Sequence, residues 1–162
     1  MMHLATIIPA ISFCLLPVCA VILLLQLRVL KKKMGPCEYI FPHKFRMQFI
    51  GIMVCAPVLI GLNYFRNFDA LTVFAICGVG VLGFYIAFHD ILYMSVGGIY
   101  ENGLIWNSAF LFYDTIDTVS HFEKTTIEIM TKDRNKKCIE FENQKIISQI
   151  IEKLKSIGYP LQ

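Results

Sequence analysis

The chain has 162 residues, 56% hydrophobic and 17% charged, against roughly 45–50% and about 25% in soluble domains, an imbalance that points to a membrane protein. Its net charge of +3 is unevenly placed: residues 1–89 carry seven basic and two acidic side chains, residues 90–162 eight basic and ten acidic. The positive surplus therefore belongs to the apolar half, which argues against a nucleic acid partner.

In chain order, residues 4–26 contain no charged side chain, and such a run is long enough for a hydrocarbon core about 30 Å thick. A first membrane helix is expected over about 4–29. It is read as an uncleaved span, because residues 1–5 lack Lys and Arg and no small-residue cleavage site follows. Pro9 and Pro17 are expected to bend it. A second span is expected over about 48–65 and a third over about 70–94, joined by the short connection Arg66-Asn67-Phe68-Asp69. Gln48, Asn63 and Pro57 make the second span less greasy than the others, so it should face protein more than lipid. Arg28, Lys31, Lys32, Lys33, Lys44 and Arg46 flank the first connection, opposed by Glu38 alone. By the bias of Lys and Arg toward the inner face, this connection is cytoplasmic and the N-terminus outside. The same six side chains are expected to contact lipid headgroups.

Within the third span Gly78, Gly80 and Gly83 spell G-x-G-x-x-G. Two spans precede them, and no strand-to-helix turn or repeated βαβ unit accompanies them, so neither a nucleotide nor another cofactor is expected. The glycines are read instead as a thinning of the helix that lets a neighbour approach. His89 and Asp90, at the inner end of this span, form the one ionisable pair singled out as a speculative functional pair. Four cysteines, Cys14, Cys19, Cys55 and Cys77, lie in apolar runs; Cys37 and Cys138 do not. No Cys/His spacing suggests a metal site.

After residue 94 the pattern changes to short alternating stretches. Asn102-Gly103 predicts a type I′ hairpin between residues 99–101 and 104–106. Strands are expected at 109–115, 118–122, 126–130 and 138–142, with Ile127, Ile129, Ile139 and Phe141 on one buried face. Asp114 and Asp117, three apart on a strand, point to opposite faces. Asn143 is the expected N-cap of a closing helix striped by Ile146, Ile147, Ile150, Ile151, Leu154 and Ile157, with Lys153 and Lys155 at its negative end. The fold class is α+β: a transmembrane domain over 1–94 and a small antiparallel sheet with a C-terminal amphipathic helix over 95–162.

The run Gly97-Gly98-Ile99-Tyr100-Glu101-Asn102-Gly103, followed by Tyr113-Asp114-Thr115-Ile116 and the closing helix, resembles the pleckstrin-homology-like (PH-like) modules of small bacterial membrane proteins. The resemblance implies a partial barrel that binds or assembles and supplies no catalytic residue. Tyr113 stands where that family has Trp. No hydrolase elbow or Walker lysine is present. The expected function is that of a non-catalytic, multi-pass membrane protein whose cytoplasmic module binds a protein partner, a second copy of itself, or lipid headgroups. The alternatives are an accessory or immunity-type subunit of a transporter or secretion system, and an interfacial enzyme using His43, His89 and Asp90.

Overall fold

A computed structural model describes residues 2–42, 47–66, 68–123, 126–140 and 144–159. The chain divides into two compact units, Met1–Lys32 with His43–Ser95, and Lys33–Pro42 with Val96–Gln162.

The first unit is helical. Helix α1 (Met2–Met34) runs through Pro9 and Pro17 and past residue 29. Its stop is Gly35, left-handed at φ +80°, with Pro36 next; the pair satisfies the end of a helix and forbids its continuation. Arg28, Lys31, Lys32 and Lys33 thus lie on the last turns of α1, where cations meet the negative end of the dipole. Helix α2 (Met47–Leu62) is followed by α3 (Ala70–Met94). Asp69 caps α3, its carboxylate accepting from the Thr72 N–H at 3.0 Å and the Thr72 hydroxyl at 2.6 Å. These two bonds hold its pKa below the usual carboxylate value.

Two helices are long and apolar enough to cross a membrane: α1 from Thr6, and α3. Only 22% of the most apolar window of each is buried, so their greasy side chains face outward. Helix α2 is as apolar as the others, against the expectation of a less greasy span, but has 16 residues, about 24 Å against the roughly 30 Å of a bilayer core. The expectation of three full-length spans is corrected on this point. Asn63 is the reason α2 stops short of residue 65. Its amide Nδ2 folds back to donate to the carbonyls of Leu59 and Ile60 at 3.2 and 3.1 Å. The N–H groups of Asn63, Tyr64 and Phe65 then bond three residues back, closing the helix end. Within the unit α2 and α3 run antiparallel, with Leu16 of α1 joining Ile60, Val73 and Cys77 in one core and Phe13 stacking on Tyr64.

The second unit holds two antiparallel sheets. One has the order β1-β2-β3-β4 and the other β5-β6-β7: β1 (Cys37–Ile40), β2 (Gly98–Tyr100), β3 (Gly103–Trp106), β4 (Ala109–Phe112), β5 (Ile116–Glu123), β6 (Thr126–Thr131) and β7 (Lys136–Glu140). Helix α4 (Gln144–Ser156) closes it. Leu104 and Leu111 of the first sheet, Ile127, Ile129 and Ile139 of the second, and Ile146, Ile147, Ile150 and Leu154 of α4 share one core. The expected stripe on α4 is thus buried at Ile146, Ile147, Ile150 and Leu154, while Ile151 is partly buried and Ile157 lies beyond the helix end and is exposed. The expected cap Asn143 and core residue Phe141 lie outside the described residues.

Two expectations are corrected here. Residues 33–42, assigned with the transmembrane half, belong to the second unit: Cys37 pairs with Tyr100, Tyr39 with Ile99 and Ile40 with Gly98, while Phe41 is buried in the core. A four-residue strand with the exposure pattern of an edge carries no alternation to read. The type I′ turn is also elsewhere. Asn107 and Ser108, between β3 and β4, have φ of 43° and 63°, whereas Glu101-Asn102 is held by segment 34–36: the N–H groups of Glu101 and Asn102 donate to the carbonyls of Pro36 and Met34. Gly98 and Gly103 are therefore needed for close approach. A Cβ on Gly98 would strike the Tyr39 carbonyl, and one on Gly103 the Leu111 carbonyl and Met34 Sδ.

Candidate functional site

The second unit contains an open groove of about 420 Å³. Its position follows from three local choices. The β2–β3 turn, tied down by segment 34–36, projects Glu101 and Asn102. The chain after β4 winds into a single 3₁₀ turn, Tyr113–Thr115, fixed by the Thr115 hydroxyl donating to the Phe112 carbonyl at 2.7 Å; this presents Asp114. The third element is the end of α4, where Gly158, left-handed at φ +98°, lets the chain turn and leaves Ile157 at the rim.

Lys33, Glu101, Asn102 and Asp114 supply the polar lining, and Phe112, Tyr113 and Ile157 the apolar floor. Asn102 Nδ2 donates to the Lys33 carbonyl at 3.2 Å, fixing that residue's backbone to the turn. Among the described residues the Lys–carboxylate ion pairs are Lys136–Glu128 and Lys153–Glu38, and Asp90 sits beside His89, so Lys33, Glu101 and Asp114 line one groove with their charges unpaired. Below the floor Tyr159 donates its hydroxyl to the Tyr113 carbonyl at 3.0 Å. Burial, with the negative charge of Glu38 nearby, drives the Tyr113 phenol far above its ordinary pKa. Among the described residues the lining offers one positive and two negative charges around an apolar base, which suits binding.

The other singled-out residues fall as follows. Asp90 Oδ1 lies 3.2 Å from His89 Nδ1, and the imidazole stacks on Tyr93 at 4.3 Å and Tyr85 at 6.4 Å. His43, with Lys44 and Arg46, lies outside the described residues. The three glycines of α3 do not act together. Gly80 is buried against α2, where an added Cβ would sit 2.9 Å from Ile60; Gly83 has Ile52 at an ordinary 3.5 Å; Gly78 meets nothing within 4 Å. Residues 78 and 80 are about 200° apart on a helix, so they face opposite ways. Asn63 belongs to the same packed seam as Gly80, its Nδ2 also reaching Cys77 Sγ at 3.7 Å. Among the described residues no three His, Cys, Asp or Glu side chains gather as a metal site would need.

Along the sequence Glu101 stands only in the hairpin run of the PH-like resemblance, and Lys33 only in a basic cluster. Asp114 stands there in the turn of that resemblance and beside Asp117, which lies in β5, away from the groove lining. No spacing in the chain joins residues 33, 101 and 114; pairing of β1 with β2 does. No family model, curated protein or solved structure matches this chain.

Proposed function

We propose that this chain is a non-catalytic, multi-pass membrane protein. Helices α1, α2 and α3 all cross the bilayer and hold a cytoplasmic, PH-like module that binds a protein partner or lipid headgroups. The carrying observation is the pairing of β1 with β2. Strand β1 directly follows α1 and β2 directly follows α3, so both helices end on one side. If both cross in the same direction, the chain returns once between them, and α2 is the apolar helix available for the return. Its 16 residues are accommodated by local thinning of the bilayer, at fractions of a kcal/mol per Å of mismatch.

The PH-like reading is supported by strands of four and three in two antiparallel sheets with a C-terminal helix on their common core. The binding reading is supported by the groove and its unpaired charges. The full chain purified from its native host in mild detergent should bring a protein or a defined lipid with it. Asp114→Asn with Lys33→Gln should lose that companion, while His89→Ala should keep it. Retention of the companion by the groove variant and loss on His89→Ala would refute the assignment to the groove.

A second reading, an accessory subunit of a larger membrane assembly, is favoured by Gly78. It lies open between the exposed Phe74 and Leu82 on the face of α3 turned away from α2. Gly78→Leu would then release the companion, whereas groove substitutions would not.

A further inference from the structure

We propose that the groove of the second unit seats the headgroup of a phospholipid bearing a primary ammonium, phosphatidylethanolamine, with its phosphate at Lys33 and its ammonium between Glu101 and Asp114. This deepens the binding function proposed above and rests on it.

The charge pattern selects the ligand. Among the described lining residues an anionic headgroup would meet two carboxylates with a single lysine to offset them. Ile157 brings the C-terminal end of α4 to the same rim, adding the negative end of a helix dipole. A simple cation would leave Lys33 unanswered. A zwitterion whose phosphate and ammonium are joined by a short ethylene link satisfies both signs at once. The carboxylates accept N–H hydrogen bonds, which a primary ammonium donates and a trimethylammonium does not. At about 420 Å³ the groove holds a headgroup and its glycerol, and Phe112 and Ile157 offer apolar contact to the first methylenes.

Lys33 also identifies the source. It stands in the last turn of α1, one of the two helices long and apolar enough to cross a membrane, and a lysine there reaches the headgroup layer. The ligand is therefore lipid of the surrounding leaflet and not a free phosphoethanolamine.

The test is native mass spectrometry of the full chain in detergent, titrated separately with phosphatidylethanolamine, phosphatidylcholine and phosphatidylglycerol of matched acyl chains. Phosphatidylethanolamine should be retained about tenfold more strongly than phosphatidylcholine, the factor that a charge-assisted hydrogen bond supplies. Glu101→Gln with Asp114→Asn should reduce it to the phosphatidylcholine level, and Lys33→Gln should weaken both. Fluorescence of Trp106 in the core checks that each variant is folded. Equal retention of the three lipids, or a preference unchanged in the double variant, overturns the proposal. Displacement of bound lipid by free phosphoethanolamine at the same concentration overturns the membrane source. If lipids are retained without preference, or a protein is retained in their place, this headgroup assignment fails while a binding module survives; if nothing is retained, the binding function fails as well.

Discussion

At the residue scale, glycines of similar appearance have opposite roles. Gly98→Ala and Gly103→Ala push a methyl into the Tyr39 and Leu111 carbonyls, and each should lower the stability of the second unit by about 1–3 kcal/mol. Trp106 is the chain's single tryptophan and lies in this core, so its fluorescence during urea unfolding measures the loss directly. Gly78→Ala, with open space around it, should leave that transition unchanged and stabilise α3 by up to about 1 kcal/mol in a detergent denaturation followed by far-ultraviolet circular dichroism. Tyr100 provides a pH signature. Its hydroxyl donates to the Val96 carbonyl at 2.6 Å, and burial, then the neighbouring Cys37 thiol, pushes its pKa up to about 12 from 10.0. The folded unit holds the phenol neutral, so this contribution is complete below pH 10.0 and is lost as the pH rises through about 12. Stability read from Trp106 should fall across that window. Tyr100→Phe should flatten part of the fall, with the rest remaining with Tyr113.

At the element scale, β1 is the piece that makes the second unit whole. With the residues that flank it, the strand contributes buried Phe41, one ladder to β2, and the backbone of segment 34–36 that holds Glu101 and Asn102. A chain of residues 96–162 alone should therefore show no cooperative Trp106 transition, and a peptide of residues 33–42 added in trans should restore one. Phe41→Ala in the full chain should cost about 3 kcal/mol by the same measurement. The ion pair between Lys153 of α4 and Glu38 of β1 is partly exposed, and Glu38→Gln should cost less than about 1 kcal/mol. Burial of apolar side chains, not surface charge, attaches the strand.

At the scale of the whole molecule, three crossings and two predict different sidedness. Cys37 and Cys138 are exposed thiols of the second unit. A membrane-impermeant maleimide should reach neither in intact cells and both after permeabilisation. A cysteine replacing Arg66, in the α2–α3 connection, should react from outside; labelling from the same side as Cys37 would show that α2 does not cross. Composition and hydropathy by themselves determined the apolar helices, the switch to alternating strands near residue 95, and the stripe of α4, because burial periodicity is local and repeats within a few residues. The stop of α1 was also written locally, in Gly35-Pro36. Only the tertiary structure decided that residues 37–40 form a strand, that the hairpin glycines serve close approach, and that Lys33, Glu101 and Asp114 line one groove. Those facts depend on a pairing between segments about sixty residues apart in the chain. A short edge strand owes its place to the edge that receives it, and no periodicity within its own four residues could announce that.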